Sequence, residues 1–127
     1  MFKFSGQRPN NLGVQNGRLQ SCPNTPNCVS SEATDPEHQI ADLKYLGDDT
    51  IATIKAIVLA QPGAAVISET GDYLYAEFTS KLMGFVDDVE FYVDRNAQTV
   101  KVRSASRLGQ SDLGVNRKRI ETIRSLM

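Results

Sequence analysis

Residues 103–117, RSASRLGQSDLGVNR, hold three arginines, three serines, an aspartate and an asparagine near the end of the chain. Arginine binds carboxylate and phosphate groups through paired hydrogen bonds, and the free amides at a helix start also attract anions. The stretch therefore indicates a site for an anionic group, formed by Arg103, Arg107, Arg117 and Asn116. The alternative is a strand-to-helix junction whose polar groups satisfy one another.

Further polar residues are predicted to meet this stretch at the end of a strand. Alternation along VDDVEF directs Asp87 inward, opposite Ser106 and next to Arg107. A buried carboxylate needs partners, so we predict a structural network in which Asp87 contacts Ser106 or Arg107. Asp112, as the cap of the last helix, and Asn116, on its inner face, would extend this network.

The same residues allow a catalytic interpretation. A nucleophilic serine needs a base within hydrogen-bond reach, and the chain has one histidine, His38. A small hydrolase would then use Asp87, Ser106 and His38. The sequence contains no G-x-S-x-G, S-x-x-K, Walker or G-x-G-x-x-G motif. We therefore favour a domain without catalytic residues and leave the question of an enzyme open.

Cys22 and Cys28 lie in SCPNTPNCVSS with five residues between them. This spacing suits a structural loop that a disulfide can close in an oxidising compartment, and reduced, buried thiols are the alternative. Two cysteines alone do not form a zinc site, and the intervening prolines favour turns over the helix of a redox pair.

Asp87, Asp88 and Glu90 form the densest group of carboxylates in the chain. Paired carboxylates can bind a metal or divide acid and base roles. Alternation places Asp87 on one face of its strand and the other two on the opposite face, so the three cannot share a metal. We predict neither a metal nor a cofactor.

Two stretches have helical patterns. GDDTIATIKAIVLAQPG predicts a helix at about 49–61, capped by Asp48 or Asp49 and stopped by Pro62-Gly63. A second helix is predicted at about 112–126, and its buried face consists of Leu113, Ile120, Ile123 and Met127.

Five stretches have strand patterns: HQIADLKYL, AAVISE, YLYAEFT, FVDDVEFYVD and TVKVRSA. The last two form the clearest hairpin, linked by RNAQ. If Asp94 lies opposite Thr99, then Phe91 faces Val102 on the apolar side, and Glu90 faces Arg103 on the other.

The order strand, helix, four strands, helix indicates an α+β fold. Short turns make the sheet antiparallel, and two amphipathic helices on one face give a single two-layer domain. The alternative is a helix-grip-like curved sheet around the C-terminal helix. Residues 1–37 lack hydrophobic periodicity and are expected to form an irregular arm, whereas residues 38–127 form the α+β domain.

Charge is unevenly distributed along the chain. Residues 101–127 contain seven Lys/Arg and two Asp/Glu, a net of +5, whereas the whole chain carries −1. No aromatic residue follows Tyr92, so nucleic acid is not expected as a partner. We expect a soluble protein, cytoplasmic by default, because neither a signal peptide nor a transmembrane segment is recognisable.

CPNTPNCVSS, GFVDDVEF and RSASRLGQSDLGVNRKRIETIR occur in this order along the chain. Together they resemble the bacterial and plastid family called domain of unknown function 1499, from the RPNNLGV arm to the last helix. The resemblance implies no established activity. Many relatives look exported or membrane-attached, with this arm just after a lipidated cysteine; Phe4 stands at that position here, which argues against lipidation and export of this chain.

The sequence thus favours a non-enzymatic binding or scaffold domain, and the alternative is the small hydrolase. The expected partner of the binding domain is an anionic small molecule or a membrane-associated protein, and the expected site is the junction at 103–117.

Overall fold

A computed structural model of the chain describes residues 5–109 and 112–127. These residues form the strands β1 (Cys28–Ser30), β2 (Leu43–Lys44), β3 (Ala64–Glu69), β4 (Tyr73–Thr79), β5 (Val86–Asp94) and β6 (Thr99–Ser106), and the helices α1 (Thr50–Leu59) and α2 (Val115–Ser125). A short 3-10 turn, Gly47–Asp49, leads into α1. No helix in the described ranges is both long and apolar enough to span a membrane.

The strands form one open antiparallel sheet in the order β1-β6-β5-β4-β3, and β2 pairs with β6 on the same edge as β1. α1 packs on β3 and β4, and α2 packs on β6 and β1. The predicted two-layer α+β fold is confirmed. The alternative, a sheet curved around the C-terminal helix, is not the fold of the described residues.

The β5–β6 hairpin has the register that its sequence predicts. Phe91 lies opposite Val102, Glu90 opposite Arg103, and Asp87 opposite Ser106. Because side chains alternate between the two faces of a strand, this register places Val89, Phe91 and Val93 in the core with Leu74, Ala76 and Phe78 of β4. Ile54, Val58, Ile120 and Ile123 cover this face from the two helices.

The second face of the sheet carries charged and hydroxyl side chains, and the N-terminal arm (residues 5–27) covers it. Arg8 of the arm pairs with Glu77 at 2.6 Å, and the Gly13 amide donates to Glu90 at 2.6 Å. Arg103 donates to the Ser21 carbonyl at 3.4 Å. The arm is therefore bound to the domain through polar contacts with the sheet.

The strand content of the N-terminal third differs from the prediction. Cys28–Ser30 form an edge strand within the stretch expected to be irregular. Within HQIADLKYL, Leu43–Lys44 pair with β6, and Gln39 makes an isolated parallel bridge to Ser30 of β1. Arginines of α2 bind the carbonyls just before β2: Arg117 those of Glu37 and Gln39, and Arg124 those of Ala41 and Asp42. These carbonyls are satisfied by side chains instead of by a neighbouring strand.

The helix boundaries also differ. α1 spans 50–59 instead of 49–61, and neither Asp48 nor Asp49 makes a capping hydrogen bond. The Thr50 hydroxyl instead accepts from the Leu46 amide and donates to the Gly47 carbonyl. α2 begins at 115 instead of 112, and Leu113, predicted to be buried, is 95% exposed because it precedes the helix.

Cys22 and Cys28 form a disulfide with a Cα–Cα distance of 5.8 Å. Cys28 belongs to β1, and its side chain is fully buried. The bond therefore links the arm directly to the edge of the sheet.

Gly63, just after α1, passes very close to the end of β4. Its φ is +75°, and an added Cβ would lie 2.2 Å from the Thr79 carbonyl oxygen. Gly47 has nearly the same φ, +74°, with nothing within 4 Å of its Cβ position.

We expect Gly47→Ala to lower the free energy of unfolding by about 1 kcal/mol through strain alone. Gly63→Ala should lower it by roughly 3 kcal/mol, since the backbones must also move apart. Urea denaturation of both variants measures this difference, and equal losses would contradict the close approach.

Candidate functional site

An open cleft of about 1060 Å³ lies at one end of the sheet. Its walls come from the loop between β4 and β5, the junction between β6 and α2, and the turn after α1. The described residues that line it include Phe78, Lys81, Leu82, Met83, Phe85, Val86, Asp87, Ser106, Leu108, Asp112, Leu113, Val115 and Arg119. Described residues of the predicted junction, Leu108 and Leu113 among them, thus line the cleft, although the arginines predicted there do not.

The walls of this cleft are mainly apolar. In the described ranges, nine large apolar side chains are exposed: Leu59, Ile67, Leu82, Met83, Phe85, Leu108, Leu113, Val115 and Leu126. Six of these nine line the cleft. Single exposed apolar residues are ordinary on a protein surface, but a contiguous group around a concavity marks an interaction site.

An ion pair lies at the floor of the cleft. Arg119 Nη2 is 2.8 Å from Asp87 Oδ2, and both side chains are largely buried. The Arg119 guanidinium also lies over the Phe78 ring, 4.6 Å from its centre. Because the two charges cancel and the ring covers the cation, the floor has no net charge.

Asn116 connects this floor to the rest of the junction and is fully buried. Its carbonyl oxygen accepts from Arg119 Nη1 at 3.0 Å and from the Ser104 hydroxyl at 2.6 Å. Its amide nitrogen donates to Ser106 Oγ at 2.9 Å and to Asp112 Oδ2 at 2.6 Å. These contacts hold the end of β6 against the first turn of α2.

Asp112 satisfies the start of α2 even though it lies outside the helix. Its carboxylate accepts from the amides of Gly114 and Asn116. Burial alone would raise the pKa of Asp112, but the hydrogen bonds from Asn116 and these amides outweigh burial, so the pKa lies below its usual value. Asp112 is therefore ionised at neutral pH and already bonded.

The sequence predicted that Asp87 contacts Ser106 or Arg107. The register placed Asp87 opposite Ser106, as observed, but its ion pair is with Arg119 and not with Arg107. Arg107 follows Ser106, so alternation directs it to the opposite face of the sheet. Helical spacing could have identified Arg119, because it lies three residues after Asn116 on the same face of α2.

Arg107 lies under the arm, among acidic and hydroxyl groups. It donates to both oxygens of Asp88, at 2.9 and 2.8 Å, and it pairs with Glu77 and the Tyr75 hydroxyl. The hydrogen bond with Asp88 is the main reason that the pKa of Arg107 is raised. Its donors are engaged within the protein.

Arg103 lies on the same face, beside the fully buried Glu90. Its Nη1 is 4.0 Å from Glu90 Oε1, and burial lowers the pKa of Arg103. Burial raises the pKa of Glu90, and hydrogen bonds from Tyr73 and Gly13 oppose this only in part. Glu90 Oε1 and Arg103 Nε are buried without a hydrogen-bond partner among the described residues.

The three arginines predicted to bind an anion therefore do not converge. Arg103 and Arg107 lie on the face covered by the arm, whereas Arg117 binds the Glu37 and Gln39 carbonyls beside α2. Each is used to hold two segments of the chain together.

His38, considered as a catalytic base, belongs to a separate hydrogen-bond network with Asp35 and Thr25. Its Nδ1 is 2.6 Å from Asp35 Oδ2, and its Nε2 is 2.7 Å from the Thr25 carbonyl. Both partners are acceptors, so these contacts favour the doubly protonated ring. The hydrogen bond with the Thr25 carbonyl is the main reason that the pKa of His38 is raised. Burial alone would lower this pKa, and Asp35 raises it further. The structure does not bring His38 to Asp87 or Ser106.

The loop SKLMGF, residues 80–85, was not identified from the sequence. The sequence does contain an indication of this loop, because Leu82, Met83 and Phe85 are three large apolar residues in a segment between two strands. No group of three or more metal-ligating side chains occurs in the described part of the chain.

The fold and site together define a single-domain α+β protein with an open antiparallel sheet and an apolar cleft at one end. The sequence profile of the family described as Protein of unknown function (DUF1499) matches residues 18–127, and the chain belongs to this family. No curated protein and no solved structure matches the chain.

The ion pair at the floor can be tested by a double-mutant cycle. Asp87→Ala leaves Arg119 buried without its partner, so it should lower the free energy of unfolding by about 3 kcal/mol. In an Arg119→Met background the same change should cost less than about 1 kcal/mol, because no cation remains unpaired. Urea denaturation of the four proteins gives the coupling energy. An equal cost of Asp87→Ala in both backgrounds would show that the two groups do not interact.

Proposed function

We propose that this protein is a non-enzymatic binding domain whose cleft accepts the apolar chain of an amphiphilic molecule. The observation that carries the proposal is the collection of Leu82, Met83, Phe85, Leu108, Leu113 and Val115 around one concavity. Exposed apolar side chains do not stabilise an isolated domain, whereas covering them with a ligand removes their surface from water.

The size and charge of the cleft support this ligand class. Small-molecule sites are concave, mostly apolar and on the order of 300–1,000 Å³, and this cleft has about 1060 Å³. The charges of Asp87 and Arg119 cancel, and Asp112 is bonded to the start of α2. The interior therefore suits an uncharged chain better than a charged group.

The predicted anionic group is accommodated at the rim in this proposal. Lys81 is exposed and lines the mouth of the cleft beside Leu82 and Met83. An amphiphile with its chain inside could place a carboxylate or phosphate near this ammonium group. A fatty acid is the simplest molecule with this chemistry.

The competing hydrolase has no support from the geometry. Both ring nitrogens of His38 are bonded to Asp35 and Thr25, and the Ser106 hydroxyl accepts from Asn116. A serine nucleophile needs a base within reach, which these contacts do not provide.

The disulfide bears on where binding takes place. Disulfides persist in oxidising compartments, whereas cytosolic thiols are kept reduced. The Cys22–Cys28 bond supports an oxidising compartment in place of the cytoplasmic default.

A fluorescent fatty acid tests the proposal directly. We expect saturable binding of a dansyl-labelled fatty acid to the full chain, with an emission shift that reports an apolar site. Met83→Ser removes part of the wall, so the Kd should rise about fivefold, which corresponds to about 1 kcal/mol. Ile67→Ser is the matched control, since Ile67 has 39% exposure, similar to 40% for Met83, but does not line the cleft.

The control variant should bind as the wild type does. Absence of saturable binding by the wild type, or an equal loss in both variants, would reject the cleft as the site.

A further inference from the structure

The most exposed apolar side chains of the protein stand on the two sides of the cleft mouth. Leu82, in the loop between β4 and β5, is 86% exposed, and Leu113, before α2, is 95% exposed. Both line the cleft, yet most of their surface faces outward. A small ligand inside the cleft would leave much of this surface uncovered, so a larger apolar phase is needed to cover it.

The backbone at Leu113 maintains this exposure. Leu113 has a φ of +54° and Gly114 a φ of +80°, both in the left-handed region. A bulky residue rarely adopts this conformation, because its Cβ crowds the following carbonyl. Strain of this kind persists where the surrounding structure imposes it, and it often marks a functional segment. Here the amides of Gly114 and Asn116, which follow Leu113, donate to the Asp112 carboxylate that precedes it.

The segments that carry these leucines are basic. Residues 80–87 and 112–119 together contain the cations Lys81, Arg117, Lys118 and Arg119 and the carboxylates Asp87 and Asp112, a net charge of +2. The hydrogen-bond acceptors of Arg117 are uncharged carbonyls, which do not cancel its charge, and Lys118 is exposed. Asp87 neutralises Arg119 alone. The segments that carry the two protruding leucines thus have a net positive charge, although Asp112 offsets part of it.

We infer that this rim docks onto the surface of a lipid bilayer that contains anionic headgroups. Leu82 and Leu113 enter the boundary between headgroups and acyl chains, while Lys81 and Lys118 attract the anionic headgroups. Shallow apolar insertion combined with positive charge is the combination that gives reversible surface binding. The docking extends the proposed function, because the cleft then opens towards the phase that holds acyl chains.

Flotation of the full chain with vesicles tests this inference. The wild type should float with vesicles of phosphatidylcholine and phosphatidylglycerol, and less with phosphatidylcholine alone, and added salt should weaken binding. The partition coefficient of the double variant Leu82→Ser/Leu113→Ser between water and vesicles should fall at least about tenfold, since two apolar side chains no longer insert.

The matched control is Leu59→Ser/Leu126→Ser. These leucines are 53% and 55% exposed and do not line the cleft. The control should float as the wild type does, and unchanged circular dichroism and melting of both double variants would show that the fold is intact. The variant Lys81→Glu tests the role of the positive charge and should weaken binding to the anionic vesicles.

Two results would overturn the inference: no flotation of the wild type, or equal losses in the two double variants. If the wild type does not float and is a dimer that Leu82→Ser/Leu113→Ser dissociates, the rim is assigned to a second copy of the chain. Fatty-acid binding separates the two proposals: flotation without it would reject the cleft ligand alone, and fatty-acid binding without flotation would reject the docking alone.

Discussion

β5 is buried on both of its faces, and three of its buried residues, Asp87, Asp88 and Glu90, are carboxylates. Removing a carboxylate from water costs several kcal/mol unless charges and hydrogen bonds compensate, so each one requires a partner from another segment. Asp87 pairs with Arg119 and thereby fixes α2, and Asp88 pairs with Arg107 at the end of β6. Glu90 accepts from the arm at Gly13 and so fixes the cover of the second face.

The cleft follows from these pairings. Arg119 is drawn to the floor by Asp87 and Asn116, which positions the start of α2 beside the end of β5. The loop at 80–85 and Leu113, just before α2, then lie on opposite sides of the floor, and the apolar side chains there remain exposed. Polar residues therefore set the position of the site, while apolar residues supply its surface. The three arginines of the junction belong to the polar contacts that hold segments of the chain together.

Much of the sheet could be predicted because one pattern determines it. Alternation in β5 and β6 fixed the register from Asp87–Ser106 to Asp94–Thr99, since a slip of one residue would exchange the two faces. The strand at Cys28–Ser30 could not be predicted, because an edge strand of three residues has too few positions to show a period. The strand register offered Asp87 two candidate partners, Ser106 and Arg107. Its observed partner, Arg119, lies on α2, and the sequence alone does not predict where this helix packs.

The cleft lay beyond sequence reasoning for a similar reason: its walls come from segments about 25 residues apart that meet only in the folded chain. An amide NMR titration with lauric acid tests its role as the binding site most directly. We predict that the largest shift changes occur in residues 80–86 and 112–115 and saturate at one ligand per chain. Changes centred on the arm at 5–27, or no saturable change at all, would contradict the account.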